Sequence, residues 1–265
     1  MVPLAISLRQ EHLHPMAGHS RWAKVKHYKG TIDQRRGKLF SKLSKEISVA
    51  AKLGGGDPNF NPRLRQAIAT ARGESVPVDN IERAIKKGTG ELEGAAYEEM
   101  TYEGYGPGGV AILLEAATDN KNRSAAEIRA IFTKNHGHLA GAGSVAWMFH
   151  RKGLIIISGS GLTEDDVILV ALDAGAEDVR SHEDVIEVIT APDNSLEAVH
   201  KALDQAKIPV ASAKLSYIPG NVTAVNDPHI AEQALELIAA LDDHDDVQVV
   251  HANLEMAPEL ASGLG

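Results

Sequence analysis

The chain predicts an α+β architecture in three parts: a basic helical segment, then two segments in which strands and helices alternate. Three observations carry that expectation. Positive charge is concentrated in residues 18–88, which hold 16 Lys and Arg against 6 Asp and Glu, so the net charge of −9 leaves −19 for the remainder. Within the basic segment, apolar residues recur at the spacing of amphipathic helices. After Gly90 the basic residues thin out and apolar runs of strand length alternate with helical ones.

With 265 residues the chain exceeds what one hydrophobic core usually serves, so two or three domains are expected. No apolar run approaches the roughly 18 to 20 residues that span a bilayer, so no membrane partner is expected. The chain has no cysteine, which removes disulfides, thiolate zinc sites, iron-sulfur clusters and cysteine nucleophiles. That composition fits a reducing compartment, and the expectation is cytoplasmic. Residues 1–17 read as a disordered extension, with Met16 a candidate start because the dense pattern begins just after it. His12, His14 and His19 lack the carboxylate partners and fixed geometry of a metal site.

The first helix is expected over Asp33 to Leu53, where Leu39, Leu43, Ile47 and Ala50 form one stripe with Phe40 beside it. Arg35, Lys38, Lys42 and Lys45 fall on a separate arc, so one side packs while the other stays cationic. Gly54-Gly55-Gly56-Asp57-Pro58 ends this helix. A second helix runs from Pro62 to Arg72, with Leu64, Ala67, Ile68 and Ala71 inward. A third starts at Asp79, which with Glu82 forms a capping-box-like pair, and ends near Gly88. Its Arg83, Lys86 and Lys87 share one face.

Ahead of these helices stand Arg21, Trp22, Lys24, Lys26, His27, Tyr28 and Lys29, aromatic rings interleaved with cations. Cations neutralise phosphates and release counterions, and rings stack on exposed bases. These seven residues, with Arg35, Arg36, Lys38, Lys42, Lys45, Arg83, Lys86 and Lys87, are the candidate nucleic-acid contacts. The competing reading is a solvated helical surface. Charge alone does not choose DNA over RNA.

Downstream, Gly108 to Ala117 is a buried-strand candidate and Asn122 to Asn135 a helix. Val145 to His150 and Leu154 to Ser158 read as a strand pair joined through Arg151-Lys152-Gly153. Helices follow at Thr163 to Ala174 and Ser195 to Ala206, with strands at Asp184 to Thr190 and Ala211 to Ile218, a βαββαβ-type order. Asp227-Pro228 opens a further helix, and Val247 to His251 is a strand that returns to the middle domain begun near Tyr97.

No motif carries catalysis. Gly104-Tyr105-Gly106-Pro107-Gly108-Gly109 has the spacing of a dinucleotide fingerprint but runs into a strand rather than a helix, so a tight turn is expected. The glycines at Gly54 lack a following Gly-Lys-Ser/Thr. His136-Gly137-His138 has no third ligand at recognisable spacing, and Asp242-Asp243-His244-Asp245-Asp246 lacks the glycine and distal glutamate of a calcium loop, leaving a solvated connection. Ser144 lacks a nucleophile-elbow pattern. No catalytic residue, cofactor or metal is therefore expected.

Gly18-His19-Ser20-Arg21-Trp22-Ala23, Arg36-Gly37-Lys38-Leu39-Phe40, Asn80 through Gly88, Tyr102 through Gly109, Thr118 through Arg123 and Gly143-Ser144-Val145-Ala146 occur in order. On these motifs the chain resembles the YebC/PmpR family, whose mitochondrial relative is a translational activator of cytochrome oxidase. The resemblance implies an N-terminal helical domain and two α/β domains of ferredoxin-like topology, the middle one discontinuous. The corresponding bounds are 18–92, then 93–149 with 219–265, and 150–218 inserted. The first 15 residues have no family counterpart, and His27 to Ile32 replaces a more alanine-rich segment. Family members are usually assigned as DNA-binding transcriptional regulators, while others are linked to the ribosome and to synthesis through proline-rich stretches. The expectation is a non-enzymatic regulator that binds DNA, with a ribosome-associated factor on ribosomal or transfer RNA as the alternative. In that alternative the Gly104 to Gly109 turn lies near the working site, and the acidic domains offer contacts to the ribosome or other proteins.

Overall fold

The computed structural model describes residues 32–158, 163–182 and 185–256. The basic segment forms α1 (Ile32–Gly54), α2 (Pro62–Gly73) and α3 (Val78–Thr89). Their shared core holds Ile47, Ala50, Leu64, Ala67, Ile68, Ala71, Ile81 and Ala84, with Phe40 and Leu43 packed against it. The side chain of Asn61 caps α2 by accepting from Leu64 N, as its Nδ2 donates to Ala50 O and Gly55 O. The start of α3 differs from expectation. Pro77 occupies the cap in an extended conformation without a side-chain bond, so Asp79 lies inside the first turn rather than capping it. Helices α1 and α3 meet at Gly88, where an added Cβ would overlap the Ser48 carbonyl oxygen, and Ser48 Oγ donates to Ala84 O at 2.6 Å.

The middle segment opens with β1 (Glu98–Tyr105) and β2 (Ala111–Thr118), an antiparallel pair in register from Glu98 opposite Thr118 to Tyr105 opposite Ala111. Their connection is a tight turn in which Gly106 N donates to Val110 O and Gly108 takes φ 72°, so the glycine run joins strand to strand. Helix α4 (Lys121–Lys134) leads from β2 to β3 (His138–Leu139), which pairs with the far side of β1. That is a split βαβ with β1 between the two linked strands.

Next come β4 (Phe149–Ser158), α5 (Glu164–Asp173), β5 (Asp178–His182), β6 (Val185–Thr190), α6 (Ser195–Gln205) and β7 (Val210–Pro219). The sheet order β5-β6-β4-β7 gives a ferredoxin-like arrangement. Its core includes Ile155, Ile157, Val167, Ala171, Val188, Val199 and Leu203. The strand pair expected around Arg151-Lys152-Gly153 is a single strand preceded by a short turn at Ala146–Met148. Gly153 lies opposite Thr190, whose Oγ1 would meet an added Cβ, so this glycine permits close strand approach instead of making a turn. Strands β1 and β5 are additional to the sequence reading. β1 carries Glu98, Glu99, Thr101 and Glu103, and β5 has Val179 as its one aliphatic residue. Apolar alternation is therefore weak in both.

The chain returns through β8 (Thr223–Val225), α7 (Pro228–Asp242), β9 (Val247–Ala252) and β10 (Leu254–Met256). Strand β9 pairs with β2 and completes the sheet β3-β1-β2-β9, while β8 and β10 pair in parallel. The Asp227 side chain caps α7 by accepting from His229 N and Ile230 N. The described residues divide into two compact units, one of residues 153–215 and one of residues 32–152 with 216–256, and the helical segment belongs with the middle sheet. Residues 153–215 carry 12 Asp and Glu against 4 Lys and Arg. No helix among the described residues is long and apolar enough to cross a membrane.

Gly88→Val should lower stability by about 1–3 kcal/mol through overpacking against α1. Gly73→Ala, where an added Cβ meets nothing within 4 Å, should not. Urea unfolding of the two variants checks the contrast, and equal midpoints would contradict the close approach.

Candidate nucleic-acid interface

Lys38, Lys42 and Lys45 recur at i, i+4 and i+7 and project from one face of α1. That face meets the C-terminal end of α7 and the acidic run that follows it. Lys38 Nζ lies 2.6 Å from Asp243 Oδ2 and donates to Asp243 O. Lys42 Nζ donates to Asp242 O at 2.7 Å and to Asp242 Oδ1 at 3.1 Å. Lys45 Nζ donates to Asp245 O at 2.8 Å and to Asp246 Oδ1 at 2.6 Å. Each ammonium thus meets a carboxylate together with a carbonyl, which for Lys38 and Lys42 lies at the negative end of α7 and for Lys45 in the turn that follows it. Lys45 is 7% exposed and Asp246 is 3% exposed, so the run expected as a solvated connection is buried at Asp242 and Asp246, while Asp243 and Asp245 stay exposed. The surroundings of Asp246 explain why it tolerates burial: Ser124 Oγ and Arg123 Nη2 reach its Oδ2 at 2.6 and 3.1 Å, and Thr118 Oγ1 lies 3.1 Å away. Burial alone would raise its pKa. The Lys45 and Ser124 hydrogen bonds, the Lys45 charge and Arg123 outweigh that and hold it far below the usual carboxylate range.

A second set of contacts fixes the other end of α1. Arg63 bridges Glu46 Oε1 at 2.8 Å and Glu99 Oε1 at 2.6 Å, which holds its guanidinium pKa above the ordinary arginine value. Lys52 donates to Tyr97 O, and Lys87 Nζ lies 3.7 Å from the centre of the Tyr97 ring.

The expected contacts therefore separate. Arg21, Trp22, Lys24, Lys26, His27, Tyr28 and Lys29 lie outside the described residues, and Arg35 is described only as part of α1. Lys38, Lys42 and Lys45 are bound to carboxylates, so these three members of the arc expected to stay cationic are neutralised by the chain itself. Lys87 is turned onto Tyr97. Arg36, Arg83 and Lys86 are exposed, with the Arg36 guanidinium 5.8 Å from the Phe40 ring centre. Sequence reasoning missed Phe60, which is 85% exposed in the loop between α1 and α2. A lone large aromatic inside Asp57-Pro58-Asn59-Phe60-Asn61-Pro62 was the available signal.

The Gly104–Gly109 turn adjoins a loop held by Glu103. This carboxylate accepts from Gly143 N, Val145 N and Ala146 N at 2.6–2.8 Å. Burial opposes its ionisation, but these backbone donors, Val145 first, keep its pKa below the ordinary value. Tyr105 Oη and Trp147 Nε1 both donate to Ser144 O, and Ser144 Oγ bonds Gly141 O, a loop closure that gives the serine no base. His138 stacks on Tyr105 with ring centres 5.4 Å apart. Among the described residues no group of three or more His, Asp or Glu is placed to hold a metal ion.

Comparison with known proteins places this geometry in a wider group. The family model of the TACO1/YebC N-terminal domain matches residues 20–91, and that of the TACO1/YebC second and third domain matches residues 97–254. A protein of Methylacidiphilum infernorum named "probable transcriptional regulatory protein" is 56% identical over 92% of this chain and 98% of its own. One of the same name from Dictyoglomus turgidum is 53% identical over 94% of this chain and 100% of its own. The crystal structure of a conserved hypothetical protein from Aquifex aeolicus superposes with TM-score 0.80 at 46% identity, covering 90% of this chain and 98% of that one.

Because its folded pKa is depressed, Asp246 contributes stability that is fully present above the unfolded value of about 3.9 and is lost as pH falls toward the folded value. Asp246→Asn should cost about 3 kcal/mol at neutral pH, as expected for breaking a buried pair, and flatten the acid limb of stability. Urea unfolding across acidic pH checks this. An acid limb unchanged by the substitution would contradict it.

Proposed function

Since the chain belongs to the TACO1/YebC family, we propose that it is a non-enzymatic, cytoplasmic regulator of gene expression that acts by binding DNA. The observation that carries this reading is the charge partition: +10 over residues 18–88 within a chain of net charge −9. A segment of that charge attracts phosphates, while the acidic remainder repels them and restricts contact to one part of the protein. The names of the relatives, probable transcriptional regulatory proteins, support the same reading.

Arg21, Lys24, Lys26, Lys29, Arg35 and Arg36 contact the phosphate backbone, with Trp22, His27 and Tyr28 stacking, and Arg83 and Lys86 extend the surface on α3. Lys38, Lys42 and Lys45 instead hold the helical segment in place. A second reading, a translation factor on ribosomal or transfer RNA, is favoured by the exposed ring of Phe60, since unpaired bases able to stack are common on RNA.

The test is crosslinking in living cells with sequencing of both recovered DNA and RNA, using Lys24, Lys26, Arg35 and Arg36 reversed to glutamate as control. Discrete chromosomal peaks lost in the variant support transcriptional regulation. Enrichment at one ribosomal or transfer RNA site moves the function to translation. In vitro, the variant should lose roughly 0.9 from the slope of log affinity against log salt per phosphate contact removed on duplex DNA. An unchanged slope would reject this surface.

A further inference from the structure

We infer that the loop between α1 and α2 is a stacking platform for unpaired nucleotides, with Phe60 as its ring and Arg65 as the cation beside it. The inference rests on the reading that the basic helical segment binds nucleic acid.

The loop is built to hold its shape. Asp57 Oδ1 accepts from Asn59 N at 2.9 Å and from Asn59 Nδ2 at 3.0 Å, while Asp57 O accepts from Phe60 N and Asn61 N. Asn61, 4% exposed, ties the loop to both helices through Ala50 O, Gly55 O and Leu64 N. The Arg65 guanidinium closes the outer side by donating to Pro58 O at 3.1 Å and Asn59 O at 3.4 Å. A large apolar ring on a mobile tip folds back onto the surface. Here the backbone on both sides of Phe60 is fixed, and the ring stands 85% exposed.

The charge around it selects the partner. Within residues 52–65, Arg63 is paired with Glu46 and Glu99, which leaves Lys52 and Arg65 against one acid, Asp57, whose Oδ1 already accepts two hydrogen bonds. Leu53, also exposed, precedes Gly54, whose Cα side faces the Asn61 side chain, so an apolar side chain flanks each member of that contact. An apolar protein partner would need no cations here. A nucleotide offers a π-face to the ring and a phosphate to the guanidinium, and an unpaired one exposes both together. Bases in a duplex are stacked on one another and cannot reach a ring outside the grooves.

The experiment measures binding of the full chain to fluorescent oligouridylate, to oligothymidylate and to a blunt-ended DNA duplex of equal phosphate number. Phe60→Ala should weaken both single strands by about ten-fold, as removal of one base stack does, and change the duplex by less than about two-fold. Phe60→Trp should restore single-strand binding, with tryptophan fluorescence quenched on mixing. The tighter of the single-strand arms identifies RNA or DNA as the source of the nucleotide. Unchanged single-strand affinity in Phe60→Ala, or an equal loss on the duplex, would overturn the platform. Wild-type protein that binds none of the three would overturn the nucleic-acid reading itself. Binding that responds to the four-residue charge reversal but not to Phe60 would overturn the platform alone.

Discussion

The buried pairing of Lys45 with Asp246 is the interaction on which the larger unit depends. It joins α1 to a loop some 200 residues later, and both partners are almost inaccessible to solvent. Two ions removed from water are costly unless every remaining donor and acceptor finds a partner. The sequence meets that demand from four directions: Ser124 and Arg123 at the start of α4, Thr118 at the end of β2, and the carbonyl of Asp245. The backbone joins in, because Asp246 O accepts from Ala117 N. One carboxylate thereby fixes the helical segment, the middle sheet and the returning chain against each other.

This joint redistributes the positive charge of the chain. A face of lysines on a solvated helix would be the obvious phosphate surface, yet on α1 the three best aligned lysines are neutralised from within. Arg63 and Lys87 are similarly occupied, by Glu46 with Glu99 and by the ring of Tyr97. Arg36, Arg83, Lys86 and the fixed loop around Phe60 remain exposed to solvent. The acidic run therefore does more than balance charge: by taking up one set of cations it leaves another as the surface a polyanion can reach.

How much of this was legible in the sequence follows from what each signal measures. Periodicity located α1, α2, α4, α5 and α6 within about two residues, because burial of one face decides both the pattern and the fold, and Asp227-Pro228 marked the start of α7. It did not reveal β1, whose Glu103 is buried as a carboxylate clasping backbone donors rather than as an apolar residue. It also split β4 at Gly153, since a glycine needed for close strand approach looks the same as one needed for a turn. Pro77 moved the start of α3 ahead of Asp79. The lysine contacts were the least legible: Lys45 and Asp246 are ordinary surface residues by type, and their burial arises from a pairing across the length of the chain. Phe60 could be noticed as an aromatic in a polar turn, but its exposure depends on the hydrogen bonds that fix the loop.

The most direct measurement of this division among the cations is lysine acylation of the native protein, followed by mass spectrometry, without and with a bound oligonucleotide. The account predicts that Lys42 and Lys45 react slowly in both states, whereas Lys86 reacts quickly when free and becomes protected when nucleic acid binds. Rapid acylation of Lys45 in the free protein, or protection of Lys42 and Lys45 appearing only with the oligonucleotide, would contradict it.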